Sequence, residues 1–298
     1  MTKKSSDVFN DIVNLYLLTE CDMHCSFCYA SKGLGRLKFD QIKFVLNELA
    51  RRGAQRVSIT GGEPLLHENI RETLEHASSL GLQVTLFTSG SLLTETKLRE
   101  FLPHLSWLCL SIDGDRETDR KVGRSKEHFD AAINALELTR ELAPDLNVRV
   151  ASVITTINID NISKLAEILS AQNRRPSLWR IKQMLPSRGA GKMASRIAVD
   201  EEEFLEKMSK VKESHQDMNI QIHTAHAKSG DMICIHPDGN STTTVYPEGD
   251  DEPVICSLGN IFTETDKVFT EWNQKKDLSH SSSYRNLWKA TDAQNCQE

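Results

Sequence analysis

The chain has 298 residues, of which 39% are hydrophobic and 26% are charged, and its formal net charge at pH 7 is −6. This length can bury a large core, as one large domain or as one domain with an appendage. The negative charge argues against nucleic acids and anionic membranes as partners. No apolar signal-peptide core or bilayer-spanning stretch is present, which predicts a cytoplasmic protein with reduced cysteines.

Short apolar strands alternate with amphipathic helical patterns along the first two-thirds of the chain. Six strands are predicted, at residues 12–18, 56–60, 83–88, 107–112, 148–154 and 178–184. Six βα-type units are typical of a parallel sheet, so the sequence predicts an α/β fold in the form of a partial (β/α)6 barrel of the TIM type. In such a sheet the functional loops lie at the carboxyl ends of the strands.

Three cysteines follow the first predicted strand in a C-x3-C-x2-C array: Cys21, Cys25 and Cys28. A cubane iron–sulfur cluster binds one thiolate per iron, so three cysteines leave one iron open to an external ligand. A structural zinc site with His24 as the fourth ligand is one alternative, although such sites usually use two spaced pairs of ligands. Ordinary packing of cysteines in the core is another alternative.

The cysteine array, with Phe27 just before its last member, resembles that of the radical S-adenosylmethionine (SAM) enzymes. The run Thr60-Gly61-Gly62-Glu63-Pro64 after the second strand is similar to the SAM-binding motif of the same superfamily. The resemblance implies that the three cysteines hold a [4Fe-4S] cluster, whose open iron binds SAM. An electron from a reductant such as flavodoxin or ferredoxin then cleaves SAM to a 5′-deoxyadenosyl radical that abstracts hydrogen from the substrate.

The resemblance also implies roles for residues at the ends of the predicted strands. Phe27 would lie against the adenine of SAM, and Glu63 would meet its methionyl ammonium group. Gly61 and Gly62 would let the backbone approach SAM closely, because a Cβ atom there would obstruct it. The other positions that would contact SAM are Pro64, Ser89, Ser111, Asp113, Arg124 and Gln183. A simple strand-ending turn is the alternative for the Gly-Gly-Glu-Pro run.

Beyond residue 215 the pattern changes, so residues 1–215 are predicted to form the barrel and residues 216–298 a small α+β extension. This extension resembles the SPASM or Twitch extensions of radical SAM enzymes, which usually carry auxiliary clusters. Only Cys234, Cys256 and Cys296 are available there, without a C-x2-C pair, so no auxiliary cluster is expected. Cys234, Cys256 or Tyr246 could return a hydrogen atom to a substrate radical; the alternative for each is a residue without a catalytic role.

The sixth strand carries alternating basic and apolar side chains. Arg180 and Lys182 share one face, whereas Trp179 and Ile181 share the other. If the basic pair faces the barrel interior, it predicts a phosphate or carboxylate group on the substrate. Alternatively, Trp179 and Ile181 fill the interior. The pattern of Trp179, Arg180 and Gln183 is also similar to that of viperin enzymes, which are radical SAM enzymes that dehydrate CTP.

These patterns predict a radical SAM enzyme that abstracts hydrogen from a small polar or anionic metabolite, such as a nucleotide or a sugar. Epimerisation or cross-linking of a ribosomally made peptide is the second hypothesis. A noncatalytic iron–sulfur electron carrier is a third, but such a carrier would use four thiolate ligands and would not need the Gly-Gly-Glu-Pro run.

Overall fold

The computed structural model describes residues 12–28, 30–184, 196–225, 232–245 and 254–278. Within these ranges the strands are β1 (Ile12–Tyr16), β2 (Arg56–Thr60), β3 (Gln83–Thr88), β4 (Trp107–Ser111), β5 (Asn147–Ile154), β6 (Leu178–Gln183), β7 (Ile220–His223), β8 (Met232–Ile235), β9 (Asn240–Val245) and β10 (Val254–Asn260). The α-helices are α1 (Phe39–Arg51), α2 (Ile70–Ser79), α3 (Glu95–Phe101), α4 (Arg116–Lys121), α5 (His128–Leu142), α6 (Ile162–Ser170), α7 (Glu201–Ser214) and α8 (Thr265–Leu278). Tyr246 and Cys296, which the sequence analysis considers, lie outside the described residues.

All of these strands belong to one sheet, in the order β10-β9-β8-β1-β2-β3-β4-β5-β6-β7. Strands β1 to β7 are parallel neighbours in chain order. Strand β8 returns to the other side of β1 and also pairs in parallel, and β9 and β10 continue the sheet in antiparallel pairing. The carboxyl ends of β1 to β8 therefore lie at one edge of the sheet, which is the edge where parallel sheets place their functional loops.

The two faces of the sheet differ in chemistry. The outer face carries apolar side chains that pack with the helices in one continuous core, and Trp179 and Ile181 belong to this core. Their interaction with the helices contradicts the alternative in which they fill the barrel interior. The opposite face, which we call the inner face, carries the intervening residues of each strand, because successive side chains alternate. On β1 to β3 these inner residues include Asn14, Ser58 and Thr85, which are aligned in register.

The predicted α/β fold is confirmed, and the six predicted strands correspond to β1 to β6. The sequence analysis missed β7 as a seventh parallel strand, because it has only four residues and its apolar positions are interrupted by polar ones. The short strands beyond residue 215 extend the same sheet on both sides, and the division into two domains stays a prediction. No helix within the described ranges is both long and apolar enough to cross a membrane.

Candidate active site

The loop that carries the three cysteines follows β1 and is fixed against the segment after α4. The amide of His24 donates to the carbonyl oxygen of Gly123 (3.1 Å), and the amide of Ser26 donates to that of Val122 (2.9 Å). A Cβ atom on Gly123 would lie less than 3.0 Å from the backbone of His24, and the φ angle of Gly123 is +101°. The close approach and the positive φ angle both require glycine here, so the two segments pack backbone against backbone.

The three cysteines of this loop differ in exposure. Cys21 is exposed, whereas Cys25 and Cys28 are half-buried. Although Cys21 as a residue is exposed, neighbouring protein atoms partly desolvate its thiol and raise its pKa to about 11. Deeper burial raises the pKa of Cys25 to about 12. In the metal-free chain these two thiols are therefore protonated near neutral pH, and a metal centre has to displace their protons when it binds.

The donor set of the loop fits an iron–sulfur cluster better than a single metal ion. Among the residues that the structure describes, no three His, Cys, Asp or Glu side chains converge closely enough to hold one metal ion. The structure thus does not assemble the zinc site in which His24 would be a fourth ligand. A cubane cluster does not need such convergence, because each thiolate binds a different iron atom. The loop supplies three such thiol ligands, on a partly exposed segment.

Gly61 and Gly62 continue the pairing of β1 with β2 up to the start of the cysteine loop. The amide of Gly62 donates to the carbonyl oxygen of Leu18 (2.8 Å), and the amide of Glu63 donates to that of Glu20 (2.9 Å). A Cβ atom on Gly61 would lie less than 3.0 Å from the backbone of Leu18, and one on Gly62 would lie closer still to the backbone of Glu20. The fold itself therefore requires both glycines, in addition to the approach of SAM that the sequence predicts.

The carboxylate of Glu63 lies in a closed, hydrogen-bonded environment and is only 1% exposed. It accepts hydrogen bonds from the amide of Leu65 (3.1 Å), the hydroxyl of Thr88 (2.7 Å) and the amide of Ser89 (2.8 Å). Burial raises the pKa of Glu63, and these donors oppose the increase. Since a carboxylate can accept about four hydrogen bonds, one further donor, such as an ammonium group, can be accommodated. The role of Glu63 in binding SAM stays a prediction.

At the end of β4, Asp113 and Arg124 form a buried ion pair with side chains 1% and 9% exposed. Nε and Nη2 of Arg124 donate to Oδ2 of Asp113 (3.0 and 2.6 Å), and Oδ1 accepts from the amide of Val153 on β5 (2.8 Å). Burial disfavours the charge of Arg124, but the adjacent Asp113 carboxylate raises its pKa. The guanidinium lies 5.9 Å from the centroid of the Phe27 ring. Asp113 thus holds Arg124 beside the cysteine loop, where its contact with the SAM carboxylate stays a prediction.

Two further residues that are predicted to contact SAM, Phe27 and Pro64, also have structural roles in the fold. Phe27, within the cysteine loop, packs in a small apolar cluster with Val122 and Met184. Pro64 begins a single 3-10 turn for which Glu63 provides the N-terminal cap. Their predicted contacts with SAM would therefore form on side chains that are already fixed by packing.

The remaining predicted SAM contacts lie at the ends of β3, β4 and β6. The hydroxyl of Ser89 lies 2.8 Å from that of Ser91, and Ser111 is half-buried. The side-chain amide of Gln183 donates to the carbonyl oxygen of Val199 and accepts from the amide of Ala225, both at 2.8 Å. Gln183 thus ties β6 to two later segments, so this structural role exists independently of any contact with SAM.

The two described candidates for a hydrogen-atom donor lie on opposite faces of the sheet. Cys234 on β8 pairs with Asn14, and its sulfur lies 3.9 Å from Nδ2 of Asn14 on the inner face. Cys256 on β10 pairs with Thr243, which in turn pairs with the core residue Ile233 on the outer face. Cys234 therefore faces the same side as the predicted substrate, whereas Cys256 faces away from it.

The inner face of β5 to β7 is strongly basic. Arg180 and Lys182 lie on it, together with Arg149 on β5 and His223 on β7. Burial lowers the pKa of His223 to about 3, and the positive charges of Arg180, Lys182 and Arg149 contribute to this decrease. The imidazole is therefore neutral near pH 7, in a region of positive potential. We call these four residues the basic wall.

Comparison with known proteins agrees with this geometry, since the chain matches the model of the radical SAM superfamily over residues 15–171. The chain belongs to this superfamily. It is 28% identical over 206 residues to the S-adenosylmethionine-dependent nucleotide dehydratase of Flammeovirga pacifica. The aligned region covers 65% of this chain and 70% of that protein. It is 29% identical over 243 residues to the sporulation killing factor maturation protein SkfB of Bacillus subtilis (strain 168). That aligned region covers 79% of this chain and 55% of SkfB.

A solved structure, native anSMEcpe with bound AdoMet, superimposes with a TM-score of 0.67 at 16% identity and covers 90% of this chain and 82% of that one. This likeness confirms the partial-barrel fold. Radical SAM enzymes use a [4Fe-4S] cluster and SAM, and membership of the superfamily confirms both as the cofactors of this enzyme. The resemblance of the extension to SPASM or Twitch extensions stays a prediction.

Several residues that shape this radical SAM site were missed by the sequence analysis. Arg149 and His223 carried a usable signal, because a charged or imidazole side chain inside an otherwise apolar strand indicates a polar interior. Gly123 follows a short helix and reads as an ordinary helix-ending glycine, so its contact with the cysteine loop could not be found from local sequence. Asp119 and His128 gave no local signal of their contact with the strand ends.

Proposed function

We propose that this radical SAM enzyme abstracts a hydrogen atom from a small anionic metabolite, and that a nucleotide is the preferred class. The observation that carries the proposal is the basic wall. A chain with a net charge of −6 gathers three positively charged side chains and a neutral imidazole on one region of its inner face. None of the residues that β4 to β7 place on this face is acidic. A bound phosphate group would offset the repulsion among the positive charges.

The basic wall extends along the strands rather than forming a single point. Lys182 and His223 are aligned closest to the carboxyl edge, Arg180 lies one step deeper, and Arg149 lies one step deeper again. Because side chains on one face repeat every second residue, these steps span about 13 Å of strand. That distance suits a chain of phosphate groups better than one carboxylate.

Both guanidinium groups of the basic wall are held in place by neighbours. Nη2 of Arg180 donates to Oε1 of Gln221 (3.1 Å). The guanidinium of Arg149 lies 5.0 Å from the ring centroid of Trp107 and 6.0 Å from that of Phe87. Preoriented guanidinium groups bind phosphate oxygens at a lower cost in side-chain entropy, so these neighbours support an anion site.

The cluster and SAM, once bound, supply the radical that abstracts hydrogen. The protein residues divide the remaining work: Glu63 and Arg124 orient SAM, and the basic wall holds the substrate. The similarity to the nucleotide dehydratase of Flammeovirga pacifica supports a nucleotide as the substrate class. We further propose a flavodoxin or ferredoxin as the reductant and a cytoplasmic location, with neither nucleic acid nor membrane as a partner.

Modification of a peptide is the second candidate, and the similarity to the maturation protein SkfB favours it. Strand β10 ends the described sheet and exposes Val254 (47%) and Ile255 (40%). An extended peptide could pair with such an edge through its backbone. On this alternative the edge, rather than the basic wall, would dominate substrate binding.

The double substitution Arg180→Met with Lys182→Met tests the anion site. We expect the Kd for nucleoside triphosphates to rise by at least about a hundredfold, since two charge-assisted contacts of about 1.5–3 kcal/mol each are lost. Calorimetric titration with CTP, UTP, ATP and GTP measures the change. SAM cleavage without a nucleotide should be preserved.

The matched control removes two positive charges elsewhere, by Lys207→Met with Lys210→Met on α7. Both lysines pair with carboxylates of their own helix, at the surface. Equal nucleotide affinity in the two double variants would refute the anion site. Binding of a precursor peptide by wild-type protein, undiminished in the Arg180 and Lys182 variant, would favour the second candidate instead.

A further inference from the structure

A buried histidine joins two of the turns at the carboxyl edge of the sheet. His128, at the start of α5, is completely buried, as is Asp119 on α4. Nε2 of His128 lies 2.9 Å from the carbonyl oxygen of Ser89, and its Nδ1 lies 2.5 Å from Oδ2 of Asp119. Imidazole, carboxylate and carbonyl thus form one continuous chain of hydrogen bonds.

The positions of the protons in this hydrogen-bonded chain follow from which of its atoms can only accept a hydrogen bond. The carbonyl oxygen of Ser89 can only accept, so Nε2 of His128 carries a proton and donates it. A second proton lies between Nδ1 and Oδ2 of Asp119, whether it resides on the nitrogen or on the oxygen. The imidazole is therefore fixed as a donor toward Ser89, in one orientation, by the carboxylate behind it.

Both ends of this hydrogen-bonded chain contact residues that are predicted to bind or hold SAM. The amide of Ser89 donates to Oε2 of Glu63 (2.8 Å), so the residue held by His128 also holds Glu63. Oδ1 of Asp119 accepts from the amide of Asp113 (3.3 Å), and Asp113 holds Arg124. One buried pair thus joins the turns after β2, β3 and β4.

Simple core packing does not explain a histidine at this position. A buried polar group is costly unless its hydrogen bonds are satisfied, and an apolar side chain could fill the same space. Both ring nitrogens of His128 are instead satisfied by groups at the carboxyl edge of the sheet. The side chain of His128 therefore makes two directed hydrogen bonds, which link it to the turns that surround the predicted SAM site.

We propose that His128 is a positioning residue for SAM, which acts by fixing the Ser89 turn and, through it, the Glu63 carboxylate. The proposal rests on the proposed role of Glu63 as the group that meets the ammonium of SAM. His128 does not touch SAM itself. Its donation to Ser89 preserves the direction of the Ser89 amide toward Glu63, while Asp119 preserves the direction of the imidazole.

A matched pair of substitutions separates this role from general stability. His128→Gln places an amide near the position of Nε2 and keeps a donor for Ser89. His128→Asn places an amide near the position of Nδ1 and keeps the contact with Asp119 only. We expect His128→Asn to raise the Kd for SAM about tenfold, because a directed hydrogen bond is lost, and His128→Gln to stay within about threefold of wild type.

The measurement is equilibrium binding of SAM to cluster-loaded protein without reductant or nucleotide, together with the iron content of each variant. Thr139→Val is the control on the same helix, because Thr139 is buried and its hydroxyl bonds only to the carbonyl oxygen of Ala135 among the described contacts (2.6 Å). It should bind SAM with wild-type affinity. Iron content should be equal in all variants.

Equal SAM affinity in His128→Asn and wild type would overturn the proposal, as would equal losses in His128→Asn and His128→Gln. If either His128 variant does not fold, the substitution Asp119→Asn tests the proposal instead. That substitution keeps an acceptor for Asp113 and should preserve SAM affinity within about threefold, since Nε2 still donates to Ser89; a larger loss contradicts the account. Because no nucleotide is present, failure of the nucleotide proposal would leave these results unchanged.

Discussion

Replacement of Cys25 by alanine is expected to abolish the cluster and SAM cleavage together. The thiol lies half-buried on the loop that is anchored to Val122 and Gly123. The substitution leaves only two thiolate ligands. Because each thiolate binds a different iron, a further iron of the cluster would lose its protein ligand. Iron analysis, the brownish absorbance of reconstituted protein and the yield of 5′-deoxyadenosine measure the effect, and each should fall to background.

Ser26→Ala is the matched control for this substitution. Ser26 lies in the same loop and donates its amide to Val122, which the substitution preserves (2.9 Å). Its hydroxyl contact with the same carbonyl is longer (3.3 Å) and contributes little. Iron content and SAM cleavage should therefore remain close to wild type. A Cys25→Ala protein that still forms 5′-deoxyadenosine would show that the ligand assignment is wrong.

The substitution Gly62→Ala is expected to have the second-largest effect, because it separates the predicted SAM-binding turn from the segment that leads into the cysteine loop. Its Cβ atom would collide with the backbone of Glu20, which cannot move away as a flexible side chain could. Overpacking of this kind costs about 1–3 kcal/mol. We expect a lower free energy of unfolding and about a tenfold loss of SAM affinity, since 1.4 kcal/mol, which lies within this range, corresponds to a factor of about ten.

Gly81→Ala is the control for the cost of backbone strain alone. Gly81 has a φ angle of +79°, and a Cβ atom there would meet nothing within 4 Å. Its replacement should lower the free energy of unfolding by about 1 kcal/mol through strain and leave SAM affinity unchanged. Similar SAM affinities in the Gly62 and Gly81 variants would contradict the predicted role of the Gly61-Gly62-Glu63 turn in binding SAM.

The sequence was sufficient for the fold class and for the prediction that the candidate site residues lie at one edge of the sheet, because both depend on local signals. Alternation of apolar strands with helical patterns predicts a parallel sheet, and the parallel sheet predicts that strand-end residues such as Glu63, Ser89 and Asp113 lie at one edge. The cysteine spacing carries its chemistry within eight residues. Such features need no knowledge of contacts between distant parts of the chain.

Contacts between distant segments could not be predicted in the same way. The ion pair of Asp113 with Arg124, the bridge from His128 to Ser89 and the contact of Gly123 with His24 each depend on tertiary packing. The return of β8 to the edge of β1 was missed for a related reason. A four-residue strand carries too little pattern to specify its partner, and the partner lies more than two hundred residues earlier in the chain.

Anaerobic reconstitution of the wild-type protein, followed by electron paramagnetic resonance of the reduced cluster with and without SAM, tests the central claim most directly. Three thiolate ligands leave one iron able to coordinate SAM, so addition of SAM should change the spectrum and yield 5′-deoxyadenosine and methionine in equal amounts. A protein that retains zinc, or one whose cluster spectrum is unchanged by SAM and that forms no 5′-deoxyadenosine, would contradict the account.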